Sequence, residues 1–221
     1  MSHTATVTIT CPKCGKNHPF EIWDSVNTVL DPEMKEKVAS GEVFRFTCPS
    51  CGAETQVNYS LLYHQMDDRI MIQFAPDERT AEEYKKIISG PAKAMEGMFE
   101  EFWDSHYMTR IVRTVFGLQE KIQIFDAGLD DRIVEIFKLL LLFQTVQADS
   151  FDETELYFFR EDGTDYVQVI MENAPAGSFE MTPEVYEKLA QDFMPKLPDI
   201  RDAEPEIDRA WALEFMRHAA A

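Results

Sequence analysis

The chain writes Cys-Pro-Lys-Cys-Gly at residues 11–15 and Cys-Pro-Ser-Cys-Gly at residues 48–52, and these two phrases use all 4 of its cysteines. A Cys-x-x-Cys turn holds a rigid pair of thiols, and two such turns put four sulfurs within tetrahedral reach. Glycine after the second cysteine permits φ > 0, so each turn can close and aim backbone N–H groups at the sulfurs. Those groups offset the negative charge that four thiolates leave around a dication. Cys11, Cys14, Cys48 and Cys51 therefore read as one closed metal site, with zinc as the expected ion. Iron is the alternative, because tetrahedral four-sulfur sites accept either metal and rubredoxin-like electron carriers use the same turns. Thiol–disulfide chemistry ranks third. A redox pair of that kind sits at a helix N-terminus, whereas Gly15 and Pro19 follow the first pair and Gly52 the second, so no helix starts there.

The flanking residues make this a zinc ribbon. "TVTIT" leads into the first phrase and "PFEIW" away from it; "EVFRFT" leads into the second, with Phe44 and Phe46 alternating against Arg45 and Thr47. "TQVNYSLLYHQ" and "RIMIQF" follow as strands joined at Met66-Asp67-Asp68. The gap between the cysteine pairs, 33 residues, is wide for a ribbon. "DPEMKEKVASG" accounts for the excess: Asp31 suits an N-cap, Pro32 the first helical position and Gly41 the stop, which gives a short helix between two hairpins. Polar "APDERTAEE" then marks a boundary, and the domains are read as 1–78 and 79–221.

The second part is mainly helical. "AEEYKKIIS" reads as a helix broken at Gly90-Pro91, and a second helix runs through "AKAMEGMFEEFWDSH". "MTRIVRTVFG" is ambiguous between strand and helix. "LQEKIQIF" and "LDDRIVEIFKLLLLFQTVQ" are helices separated at Ala127-Gly128, the latter apolar on most faces. "ELYFFREDGTDYVQVIM" is a hairpin around Asp162-Gly163. A strand at "SFEM", a helix from Thr182-Pro183 to Met194 and a last helix after Pro205 complete the reading. The fold class is α+β: a zinc-ribbon-like β domain with a short helical insertion, then a mostly helical acidic domain containing a β-hairpin.

The stretch from "ITCPKCGKNHPFEIWDSVN" through "FTCPSCGAETQVNYSLLYHQMDDRIMI" resembles the CpXC proteins of bacteria and archaea, a family named for the doubled motif. The resemblance spans residues 8 to about 74, and "LQEKIQIFDAGLDDRIVEIFKLL" and "YFFREDGTDYVQV" look like C-terminal stretches of longer members. It implies metal binding by the four cysteines and supplies no reaction.

Charge narrows the partners. The net charge is −19, and residues 81–221 carry 14 basic against 29 acidic side chains. That field repels phosphate backbones and anionic membranes, which disfavours duplex nucleic acid and favours basic protein surfaces or cations. "MSHTATVTIT" lacks the features of a signal peptide, and the most apolar run, 133–146, is short and contains Glu135 and Lys138. The expected address is the cytoplasm, without a membrane span. Lys13, Lys16 and Arg45 lie among Phe20, Trp23 and Phe46, a pattern that could stack single-stranded nucleic acid, but these aromatics read first as the ribbon's core.

Outside the ribbon, His18 could be a ligand or a donor to one, although four cysteines complete the ligand set and a loop role is the simpler reading. His64 reads as structural. In "GLDDR", Gly128 ends one helix and the aspartates cap the next. An enzyme reading would make Asp130, Asp131 and Asp165 a carboxylate site, provided that the fold brings them together. No phosphate loop, nucleophile elbow or H-E-x-x-H helix is present, and His106 has no evident nucleophile near it. The function expected is a non-enzymatic protein-interaction or regulatory module with a structural metal, its closed ligand set leaving no position for substrate.

Overall fold

The structure, a computed structural model, describes residues 2–89, 107–145, 150–172, 174–200 and 202–219. It divides into two compact units, Met1–Gln119 and Glu120–Ala221. The helix expected over 92–106, the break at Gly90-Pro91 and His106 lie outside the described residues.

In the first unit, β1 (His3–Thr10) and β2 (Asn17–Asn27) form an antiparallel hairpin around the first cysteine phrase. Helix α1 (Glu33–Ala39) and a 3₁₀ turn (Glu42–Phe44) precede β3 (Arg45–Thr47) and β4 (Glu54–Gln56), a second hairpin around the second phrase. Gly41, at φ 72°, ends the helical insertion. Next come β5 (Leu61–Gln65), β6 (Ile70–Phe74) and β7 (Met108–Val112). The larger sheet has the order β1-β2-β5-β6-β7, while β3 and β4 form a sheet of their own. Strand β2 runs parallel to β5 through Ser25–Asn27 and Leu62–His64. Parallel neighbours need a long crossover, and this one carries both α1 and the second cysteine hairpin. The insertion is thus part of the sheet's wiring as well as a spacer.

Two local readings change. "EVFRFT" is a strand only over Arg45–Thr47, because Phe44 closes the 3₁₀ turn with its side chain fully buried. "TQVNYSLLYHQ" is two strands: β4 pairs with β3, whereas β5 lies between β2 and β6 in the other sheet. The backbone turns away between them, where Val57 N–H donates to the Phe44 carbonyl at 2.8 Å. The ambiguous "MTRIVRTVFG" resolves into β7 and the start of α3 (Val115–Asp126), where the Thr114 hydroxyl accepts the Gly117 N–H at 2.9 Å.

The division at 119/120 differs from a boundary at 78/79. Helix α2 (Glu78–Ser89) packs Ala81, Tyr84 and Ile88 against Ala75 and Ile111, and β7 pairs in parallel with β6. Both elements belong with the first sheet. Composition could not show this, since the pairing of β7 spans a long stretch of chain.

The second unit is the more helical and acidic, with 9 basic and 23 acidic side chains over residues 120–221. Most of α3 leads into α4 (Asp131–Thr145) through Gly128 at φ 72°. Strands β8 (Thr154–Glu161), β9 (Thr164–Met171) and β10 (Ala174–Glu180) form an antiparallel sheet in the order β10-β9-β8. The β8–β9 turn puts Asp162 at φ 50° and Gly163 at φ 80°, as a type I′ turn requires. Leu141 and Leu142 of α4 pack on Leu156, Val167 and Val169, while Val134 joins Ile124, Phe158 and Met181. Helices α5 (Pro183–Phe193) and α6 (Arg209–Ala219) follow, and the Thr182 hydroxyl accepts the Val185 N–H at the start of α5.

Candidate metal centre

The two cysteine turns are built identically. Cys11 N–H donates to the Lys16 carbonyl at 2.9 Å, and Gly15 N–H donates to the Cys11 carbonyl at 2.9 Å. In the second turn Cys48 N–H donates to Ala53 at 2.8 Å and Gly52 N–H to Cys48 at 2.9 Å. Gly15 and Gly52 sit at φ 70° and 68°, a conformation that costs a β-carbon-bearing residue energy. Duplicated sequence has become duplicated geometry.

Across the turns, Cys11 Sγ lies 3.7 Å from Cys51 Sγ, and Cys14 Sγ lies 3.7 Å from Cys48 Sγ. All four ligand atoms fall within 4.8 Å of one another. Disulfide sulfurs would stand about 2.05 Å apart, so these are four free thiols. A regular tetrahedron with metal–sulfur bonds of about 2.3 Å has edges of about 3.8 Å. The cross-turn distances match that edge, so the donor set fits a tetrahedral thiophilic ion. Cys11 and Cys48 are buried at 1% exposure beside Phe46, with Ile9, Phe20 and Val57 packed around them, whereas Cys14 is exposed.

The protein environment already treats the sulfurs unequally. The Cys14 N–H holds the Cys11 thiol down to about 6, acting against burial and helped by the Lys13 N–H. The Ala53 N–H acts to lower the Cys51 thiol, but burial and the neighbouring cysteines push it up to about 11. Four thiols in one small volume resist collective ionisation, and a cation removes that conflict.

The remaining candidates divide. His18 is not in a loop: it lies near the start of β2, with Nε2 3.5 Å from Cys48 Sγ. Strand pairing carries it there, a relation that its place four residues after Cys14 did not reveal. Phe20 and Phe46 pack edge to face at 5.9 Å, so these two aromatics serve the ribbon core. His64 pairs with the Tyr107 hydroxyl at 3.0 Å, and burial lowers its pKa.

The three aspartates each meet a different cation. Asp130 accepts the Arg132 N–H at 2.9 Å, in the manner of a helix cap, and also pairs with its guanidinium at 2.6 Å. Asp131 is fully buried against Lys121 at 2.8 Å. Asp165 lies 3.3 Å from Arg160. Among the described residues, the group of Cys, His, Asp or Glu ligands gathered tightly enough to hold a metal is the cysteine tetrad; the aspartate trio forms no such group. What sequence reasoning missed lies near them: Glu120, Lys121, Glu135 and Lys138 are all buried.

The chain belongs to the CpXC family: the family's sequence model, described as CpXC protein, matches residues 9–138, more than half its length. The match takes in both cysteine turns and ends about halfway along α4. No curated protein and no solved structure matches the chain. Among the described residues, no helix is long and apolar enough to cross a membrane.

Proposed function

We propose that this CpXC protein holds a structural zinc ion on Cys11, Cys14, Cys48 and Cys51 and works as a protein-interaction or regulatory module in the cytoplasm. The observation that carries the reading is the closed set of four thiols with cross-turn separations of 3.7 Å. Four sulfurs complete a tetrahedral shell and leave no position for water or substrate, which favours a structural role. The ion's contribution is cross-linking: it ties the β1–β2 hairpin to the β3–β4 hairpin, and the small core around Phe46 gains a second means of support. Rigid turns that expose Pro12, Lys13, Pro49 and Ser50 offer a fixed surface to a partner.

Metal analysis of the full chain, purified without added metal, tests the ion. One zinc per chain is expected, with Cys48→Ser holding well below that ratio. A red protein with thiolate-to-iron absorption would replace zinc by iron, and full metal content in Cys48→Ser would remove the cysteine assignment. Capture from cell extract with and without chelator tests the module: partners that persist unchanged after the metal is removed would detach the ribbon from partner binding.

A further inference from the structure

We propose that His18 is a positioning residue of the metal centre, donating its Nε2–H to the Cys48 thiolate from the opposite cysteine turn. The inference rests on the metal reading above and goes beyond its four ligands. Cys48 Sγ lies 3.5 Å from His18 Nε2, a hydrogen-bonding separation for nitrogen and sulfur. Its own side chain is 1% exposed, so bulk water has little access to the sulfur. At Cys11, the other deeply buried sulfur, backbone N–H groups of Lys13 and Cys14 serve the thiolate from within its own turn. At Cys48 an imidazole reaches across from β2.

Strand pairing fixes its position. His18 stands opposite Ile9 on β1, and its ring lies 6.1 Å from the Phe46 ring beside the sulfurs. The duplication breaks here. The residue equally placed after the second turn is Thr55, which faces Phe46 across the β3–β4 pair. An N–H donor draws electron density from a thiolate, so it makes that sulfur a poorer nucleophile and stabilises the charged ligand set. His18 also bonds the strand of one turn to a ligand of the other, so it opposes their separation when the metal is lost.

Cobalt(II) loaded on the full-length protein provides the test, because its thiolate charge-transfer band reports electron density at sulfur. His18→Phe keeps a ring beside Phe46 and removes the donor, whereas His18→Gln restores an N–H. The expected result is a shift of the band to lower energy in His18→Phe, with cobalt lost to a chelator about tenfold faster, and a return toward wild type in His18→Gln. A His18→Phe protein with the wild-type band and release rate overturns the inference, as does a His18→Gln protein impaired to the same degree. If His18→Phe does not fold, His18→Ala against His18→Gln makes the same comparison. Absence of any cobalt–thiolate band in the wild type overturns the metal reading itself, and the role of His18 with it.

Discussion

Gly15, Gly41 and Gly52 all take positive φ, yet their surroundings give them different sensitivities. A β-carbon at Gly15 or Gly52 would meet nothing within 4 Å, so alanine there brings backbone strain alone. Gly15→Ala should cost about 1 kcal/mol, read from denaturant unfolding of the metal-loaded protein. At Gly41 the new carbon would stand 3.1 Å from Gln119 Nε2, which donates to the Ala39 carbonyl at 2.9 Å. Gly41→Ala should therefore destabilise more than Gly15→Ala. Equal costs would show that Gln119 yields freely and that backbone strain is the whole effect.

At the scale of elements, α3 and α4 meet through a buried ladder of alternating charge. Asp131 pairs with Lys121 at 2.8 Å, Lys121 lies 3.7 Å from Glu135, Glu135 pairs with Lys138 at 2.8 Å, and Lys138 pairs with Glu120 at 2.8 Å. The Phe158 N–H closes the ladder on Glu120 at 2.6 Å. Three carboxylates face two ammonium groups, and burial raises the Glu135 pKa above the usual carboxylate range despite Lys138 and Lys121. A raised native pKa contributes stability below the unfolded-state pKa, and that contribution is lost as pH rises through the native value. Glu135→Gln removes this titration, so its melting temperature should fall less than wild type's between pH 5 and pH 8. An unchanged difference between the two pH values would show that Glu135 is ionised throughout.

At the scale of the molecule, the candidate metal centre lies in one unit only, and the proposed ion would serve that unit. Removing the ion should speed hydrogen exchange at the turn amides of Cys11, Gly15, Cys48 and Gly52, while the β8–β9 pairing and α4 keep their protection. Loss of protection through both units together would show that they unfold as one. This pattern also marks how far the sequence could be read. The cysteine turns, the Asp162-Gly163 hairpin, the Thr182 cap and the Asp130 cap all depend on residues within a few positions of each other. Their chemistry is local and legible. The division at 119/120, the place of β7 and the burial of Glu120, Lys121, Glu135 and Lys138 depend on distant partners, and the local pattern of each fits several outcomes.

By itself, the sequence determined the four-cysteine donor set and the turns that present it, because Cys-Pro-x-Cys-Gly encodes its own backbone geometry. It also determined the α+β order of elements and the acidity of the second unit. Tertiary structure decided which sulfurs face each other, that the insertion between them is a parallel crossover, and that His18 points at Cys48. The reason is physical: a turn is set by the dihedral preferences of a few adjacent residues, whereas a contact across 30 residues is set by which strands pair and what the core can exclude from water.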